Sequence, residues 1–172
     1  MIPSSPLPPE AACMRAVFET TWGVLAVEAN ETAVTRLHLP GFVPDDFVAT
    51  SASSPLLRQV EREIGEYFNR KRREFGIPLA PAGTGFMQAV WQRLVQIPFG
   101  ELDTYGGVAK ALGNPGASRA VGMACRNNPI PLLIPCHRVV GAGNKLTGFS
   151  GGGVDAKRRL IELEMGGLFA TL

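Results

Sequence analysis

Asn127-Asn128-Pro129-Ile130-Pro131-Leu132-Leu133-Ile134-Pro135-Cys136-His137-Arg138-Val139-Val140 is the stretch on which the reading of this chain turns. Its prolines at 129, 131 and 135 exclude a helix. The residues between them are apolar, so the segment reads as a rigid, buried strap. It delivers Cys136-His137-Arg138. A buried cysteine is ordinarily a small hydrophobe. One fixed at the end of such a strap, with His and Arg next in the chain, reads as a nucleophile. A thiol attacks as the thiolate, and its reference pKa is ~8.5. His137 is the candidate base, acting directly or through a water. The base then needs an orienting acceptor. A helix expected from Asp155 to about Met165, with apolar positions Leu160, Ile161 and Leu163, offers Asp155, Glu162 and Glu164. Periodicity does not choose among these acids.

Upstream of the strap the chain reads as short helices. Thr84 can cap one that carries Phe86, Val90, Trp91, Leu94 and Val95, broken at Pro98-Phe99-Gly100. Thr104 can cap a second with Val108, Ala109 and Leu112, ended by Gly113. Asn114-Pro115 is expected to open a third that runs to about Arg126. Two short helices around a tight glycine turn have the outline of a helix-turn-helix. On the last of them Ala117, Ser118, Ala120 and Gly122 are small, and Arg119 projects among them. Close helix packing wants small residues. So does approach to the DNA minor groove, which is only ~6 Å wide and attracts arginine.

Further upstream, residues 15–39 alternate as strands. RAVFET and VLAVEA flank Thr21-Trp22-Gly23, and AVTRLHL follows Asn30, which predicts an antiparallel meander. Ser54-Pro55 opens a helix with a stripe of Leu56, Val60, Ile64 and Phe68. The basic run Asn69–Arg73 reads as a solvated helix end. Residues 76–85, rich in Gly and Pro, are expected to be a linker. The fold class is therefore mixed α/β (α+β). A strand-and-helix domain, residues 1–80, precedes a mainly helical, winged-helix-like domain, residues 84–172.

The 172 residues are 45% hydrophobic and 19% charged, which excludes wholesale disorder, and the formal net charge of +2 is too mild to identify a polyanionic partner. Three cysteines exclude a fully paired disulfide framework, and the expected compartment is reducing and cytoplasmic. No apolar run suits a membrane span. The proline-rich start, MIPSSPLPPEAAC, lacks the pattern of a secretory signal and reads as a frayed arm. Cys13, His38, Cys125, Cys136 and His137 have no zinc-ligand spacing, so no metal is expected. Cys13 and Cys125 read as structural, and His38 as a strand residue.

The segment Ile134-Pro135-Cys136-His137-Arg138-Val139-Val140 resembles the active-site signature of the O6-alkylguanine-DNA alkyltransferases, the methylated-DNA–protein-cysteine methyltransferases. The resemblance runs over about residues 84–165 and includes Phe99-Gly100-Glu101, Tyr105, Gly113-Asn114-Pro115, Ser118-Arg119-Ala120-Val121-Gly122, Asn127-Asn128-Pro129 and Phe149-Ser150-Gly151-Gly152. It implies that Cys136 is the alkyl acceptor, that His137 is its base through a water, and that Glu164, counted from Lys157, orients His137. Asn128 supports this network. Tyr105 contacts the target base and helps rotate its 3′ phosphate, and Arg119 fills the gap left by an extruded nucleotide. Ala117, Ser118, Ala120 and Gly122 face the DNA. Backbone groups of Cys136, Val139 and Ser150 read the guanine edge, and Pro131 and Phe149 shape the pocket walls. The loop Ser150–Lys157 is one residue longer than the common form.

The implied activity is a single-turnover methyltransferase in DNA repair, with base flipping through the minor groove. No cofactor is expected, the partner is double-stranded DNA containing O6-alkylguanine, and the protein is expected to be a monomer. A non-catalytic binder of alkylated DNA is the alternative, disfavoured because such relatives replace the cysteine. A thiolate titration below ~8.5 is expected for Cys136.

Overall fold

The computed structural model describes residues 13–50 and 53–166. Residues 1–12 of the expected N-terminal arm lie outside them, and its last residue, Cys13, is exposed. The chain divides into two compact units, with the boundary between Ala82 and Gly83.

In the first unit, β1 (Met14–Thr20), β2 (Gly23–Ala29) and β3 (Val34–His38) form an antiparallel sheet in that order. Gly23 makes the first turn at φ +117°, a conformation that favours glycine, and the Thr20 hydroxyl donates to its carbonyl at 2.7 Å. Leu25, Ala26 and Val27 are all fully buried, so β2 is covered on both faces. Helix α1 (Pro55–Phe68) starts where its cap chemistry dictates. The Ser54 hydroxyl accepts from Leu57 N at 3.0 Å, and Pro55 stands at the first helical position. Phe68 of α1 stacks on Trp22 with ring centroids 4.9 Å apart.

The expected linker needs correction in its first half. Val34 N donates to Pro78 O at 2.9 Å, Ala80 N donates to Val34 O at 2.8 Å, and Leu79 bridges parallel to Val34. Ile77 and Leu79, two apart, are buried. The free edge of β3 offers unpaired backbone groups, and the alternating apolar residues here satisfy them.

The second unit holds the strap. Helices α2 (Gly85–Val95), α3 (Tyr105–Ala111) and α4 (Ser118–Arg126) pack against one another. Thr84 and Thr104 cap α2 and α3 by accepting from Met87 N and Gly107 N. Val90, Trp91 and Leu94 are buried, and Trp91 Nε1 donates to Ala124 O at 2.9 Å, tying α2 to α4. Phe86 and Val95, which the same helix carries, stay exposed. Helix α4 also starts later than expected. Asn114-Pro115-Gly116-Ala117 is a turn closed by Ala117 N donating to Asn114 O at 3.0 Å, with proline and glycine at its centre. Strands β4 (Asp103–Thr104) and β5 (Val139–Val140) pair in parallel. Helix α5 (Gly153–Met165) is entered through Gly152 and Gly153, both at positive φ, and buries Leu160 and Ile161. No described helix is long and apolar enough to cross a membrane.

Candidate active site

Residues 130–140 are almost wholly buried, and Cys136–Arg138 form a 3₁₀ turn at the end of the strap. Leu132 sits at φ +78°, a conformation uncommon for a leucine, which persists only where the surroundings over-determine it. Asn128 does much of that work. Its Nδ2 donates to Ile134 O at 2.9 Å and to Cys136 Sγ at 3.1 Å, while its Oδ1 accepts from Ile130 N at 2.9 Å. The same amide thus shapes the strap and touches the sulfur.

The turn sends His137 and Arg138 to one carboxylate on α5. His137 Nε2 lies 2.7 Å from Glu164 Oε1. Arg138 Nε donates to Glu164 Oε2 at 3.0 Å, Arg138 Nη2 donates to Oε1 at 3.0 Å, and Arg138 Nη1 donates to Ile97 O at 2.6 Å. Gly100 N donates to Glu164 Oε2 at 3.2 Å. The Glu164 side chain is buried, whereas Glu162 and Asp155 are exposed. The entry into α5 through Gly152 and Gly153 thus leaves Glu164 turned inward.

Burial sets the protonation states. It pushes the Cys136 thiol above its ordinary value, although the Asn128 and Ser150 hydrogen bonds and the Lys157 charge pull the other way. This overturns the expectation of a lowered thiol. Burial likewise lowers His137 despite the Glu164 charge beside it, which keeps the imidazole neutral. For Glu164 burial acts to raise the carboxyl. The His137 and Arg138 hydrogen bonds and charges outweigh it and hold the acid well below the usual carboxylate range. An ionised Glu164 fixes the His137 proton on Nε2. Nδ1 is then the basic nitrogen, and it is buried with no hydrogen-bond partner among the described residues. Burial also raises the Cys125 thiol.

Beside the centre lies a cavity of about 780 Å³. Tyr105, Arg119, Gly122, Met123, Arg126, Thr147, Gly148, Phe149, Ser150 and Gly153 line it. Of the expected pocket residues, Phe149 and Ser150 line this cavity. Pro131 and Val139 do not, because both are buried in the strap and in the β4–β5 pair. Of the small residues on α4, Gly122 reaches it. A Cβ at Gly122 would meet the Tyr105 ring at 3.9 Å, an ordinary contact, so helix packing does not demand glycine there. Arg119 and Ala120 are exposed, Ser118 is half-buried, and Ala117 is the half-buried N-cap residue.

Sequence reasoning missed four residues here. Arg138 was visible only as the neighbour of His137. Met123 and Arg126 stand four and seven positions after Arg119, so helical spacing gave the signal. Thr147 carried no signal. His38, in β3, lies against Glu28 at 3.2 Å.

Fold and site define a mixed α/β protein in which a buried cysteine, bonded to an asparagine amide and followed in the chain by an imidazole fixed on a carboxylate, adjoins a cavity edged by arginines. Comparison with known proteins identifies the class. Residues 85–166 match the family described as 6-O-methylguanine DNA methyltransferase, DNA binding domain. The methylated-DNA–protein-cysteine methyltransferase of Methanosarcina acetivorans is 41% identical over 154 residues, covering 87% of this chain and 96% of the relative. The constitutive enzyme of that name from Bacillus subtilis is 38% identical over 151 residues, covering 85% and 92%. The crystal structure of Mycobacterium tuberculosis OGT in complex with DNA superposes with a TM-score of 0.79 at 36% identity, covering 88% of this chain and 92% of that one. The chain belongs to the methylated-DNA–protein-cysteine methyltransferase family.

Proposed function

We propose that this protein reverses O6-alkylguanine damage in double-stranded DNA by moving the alkyl group onto its own Cys136, once per molecule. Direct-reversal repair by a protein-cysteine methyltransferase is the activity of the chain. The observation that carries the assignment to Cys136 is the sulfur itself. Cys136 is 2% exposed, its sulfur is bonded to the Asn128 amide, and the next residue is an imidazole fixed on Glu164.

The chemistry follows from that arrangement. The Cys136 proton passes to His137 Nδ1 through a bridging water, because adjacent residues need not meet directly. The imidazolium is stabilised by the Glu164 carboxylate. The thiolate attacks the alkyl carbon in line, a C–S bond forms, the C–O6 bond breaks, and its electron pair stays on the guanine. Asn128 and Lys157 favour the thiolate. The product is a thioether, which no group in the site can cleave, so the protein is spent.

An alkyl group on O6 lies inside the duplex, so the nucleotide has to be extruded, at a cost of a few kcal/mol. We assign α3 and α4 as a winged-helix-like helix-turn-helix, with α4 facing the minor groove. Ala117, Ser118, Ala120 and Gly122 permit close approach, and the exposed Arg119 fills the vacated space. Tyr105 bounds the cavity that receives the base, with Phe149 and Ser150. Every site residue comes from one chain, so a monomer suffices. The free cysteines support a reducing, cytoplasmic location.

Mixing the protein with excess O6-methylguanine duplex and measuring intact mass tests the reading. One methyl group per molecule is expected, mapped to the Cys136 peptide; repeated turnover, or modification elsewhere, rejects it. Arg119→Ala should slow repair in duplex roughly 10-fold or more while leaving attack on free O6-benzylguanine unchanged, since its cost falls on holding the gap. Equal losses on the two substrates would remove the gap-filling role.

A further inference from the structure

One stripe of α4 has a member that neither the core nor the alkyl-transfer steps above use. Arg119, Gly122, Met123 and Arg126 follow one another at helical spacing, and all four line the cavity. The helix packs into the fold through its other side, where Val121, Ala124 and Cys125 are buried. Met123 is 54% exposed, more than any other large apolar side chain described in the second unit. Its carbonyl accepts from Asn127 N at 3.0 Å and from Asn127 Nδ2 at 2.8 Å, so the backbone here is tied down and the side chain projects from it.

Met123 conflicts with the rest of this face. Ala117, Ser118, Ala120 and Gly122 are small, which suits close approach to a groove, and a long side chain among them would hold the helix away. It is accommodated only where there is room, and the cavity of about 780 Å³ that it lines is that room. The other lining groups are the rings of Tyr105 and Phe149, two guanidiniums, hydroxyls and glycines. Among the described residues Met123 is therefore the one long uncharged aliphatic chain on the wall. A thioether is unbranched and polarisable, fills irregular space and packs well on aromatic rings. In the free protein its apolar surface is left to water, which is unfavourable until an apolar face covers it.

We propose that Met123 packs its thioether against the purine ring of the extruded nucleotide and holds the base in the cavity from the α4 side. The proposal rests on the alkyl-transfer reading and adds to it a contact that selects the occupant by its flat apolar face. Arg119 acts on the gap in the duplex; Met123, one turn further along the same stripe, acts on the nucleotide that left it. The contact is apolar and independent of charge, so it is the same before and during transfer. Such a contact lowers the concentration needed for half-saturation and leaves the maximal rate unchanged.

The test follows alkylation of Cys136 in wild type, Met123→Ala and Met123→Leu over a range of concentrations of free O6-benzylguanine and of O6-methylguanine duplex. Alanine removes the contact; leucine restores most of its apolar volume. In Met123→Ala the half-saturating concentration should rise roughly 10-fold for the free base and about 3-fold or more for the duplex. The maximal rate should move by less than about 2-fold, and Met123→Leu should stay within about 3-fold of wild type throughout. Tm should be unchanged, because the side chain is exposed. Three outcomes overturn the proposal: Met123→Ala saturating like wild type on the free base, alanine and leucine variants weakened alike, or a loss carried by the maximal rate alone. A loss confined to the duplex also overturns it, since that would place Met123 in the base stack beside Arg119 as a wedge. Wild type failing to alkylate Cys136 at any concentration would instead reject the alkyl-transfer reading, so the two failures are distinct.

Discussion

Cys136→Ser will bind alkylated duplex with the affinity of the native protein and transfer nothing. The affinity is expected to be preserved because Cys136 is buried, whereas the surface proposed to bind DNA is the exposed face of α4. Transfer is lost because a hydroxyl is a far weaker nucleophile than a thiolate toward carbon and none of the groups at this centre is basic enough to ionise it. Binding is read by titration with labelled duplex at several salt concentrations, where loss of phosphate contacts with salt should be the same for both proteins. Transfer is read by a labelled alkyl group on protein. Cys125 is not expected to substitute, since burial raises its thiol. Labelled Cys125 in the serine variant would show that the acceptor had been misassigned.

Glu164→Gln has the second largest effect, and it separates chemistry from folding. In the native protein burial holds the Cys136 thiol above its ordinary value, so at neutral pH the sulfur carries its proton. The rate on free O6-benzylguanine should therefore keep rising with pH through ~8.5, the value of an isolated thiol. Because His137 is held below its usual range, its base form is already present at neutral pH, and the rise reports the thiol. Glutamine removes the charge that stabilises the imidazolium, so the midpoint moves further up and the rate at pH 7 falls by roughly 100-fold.

The same change strands Arg138, whose Nε and Nη2 are both bonded to this carboxylate. Leaving a buried charge unpaired costs about 3–5 kcal/mol, so stability should drop as well. The pH dependence of that loss has a definite sign. A carboxyl held below its unfolded value adds stability above ~4.3, and the benefit disappears as pH falls below it. The native protein should thus lose more stability on acidification than Glu164→Gln does. Activity is measured well below the variant's Tm. An unchanged rate and midpoint would mean that Glu164 takes no part in the relay.

Local rules written in the sequence account for much of the scaffold. The β-branched and alternating residues of 15–39, bounded by turn residues, specify three strands, although β2 is covered on both faces. Ser54-Pro55, Thr84 and Thr104 start α1, α2 and α3 because a capping hydroxyl needs only the amide three residues ahead. The prolines of residues 129–135 forbid a helix, and so mark Cys136 as the end of a strap, whatever packs around it.

Other features depend on partners far along the chain. The pairing of residues 78–80 with Val34 joins segments more than forty residues apart, and no local pattern announces it. The meeting of His137 and Arg138 on Glu164 depends on how the glycine loop enters α5. One residue of slip would rotate that helix by about 100° and carry the acid away. Tyr105, Thr147 and Lys157 come from three separate elements and meet only in the fold. The protonation of Cys136 belongs with these. A sequence names the thiol, but the sign of its shift is set by how much water the folded protein removes from it, and that is a property of tertiary packing alone.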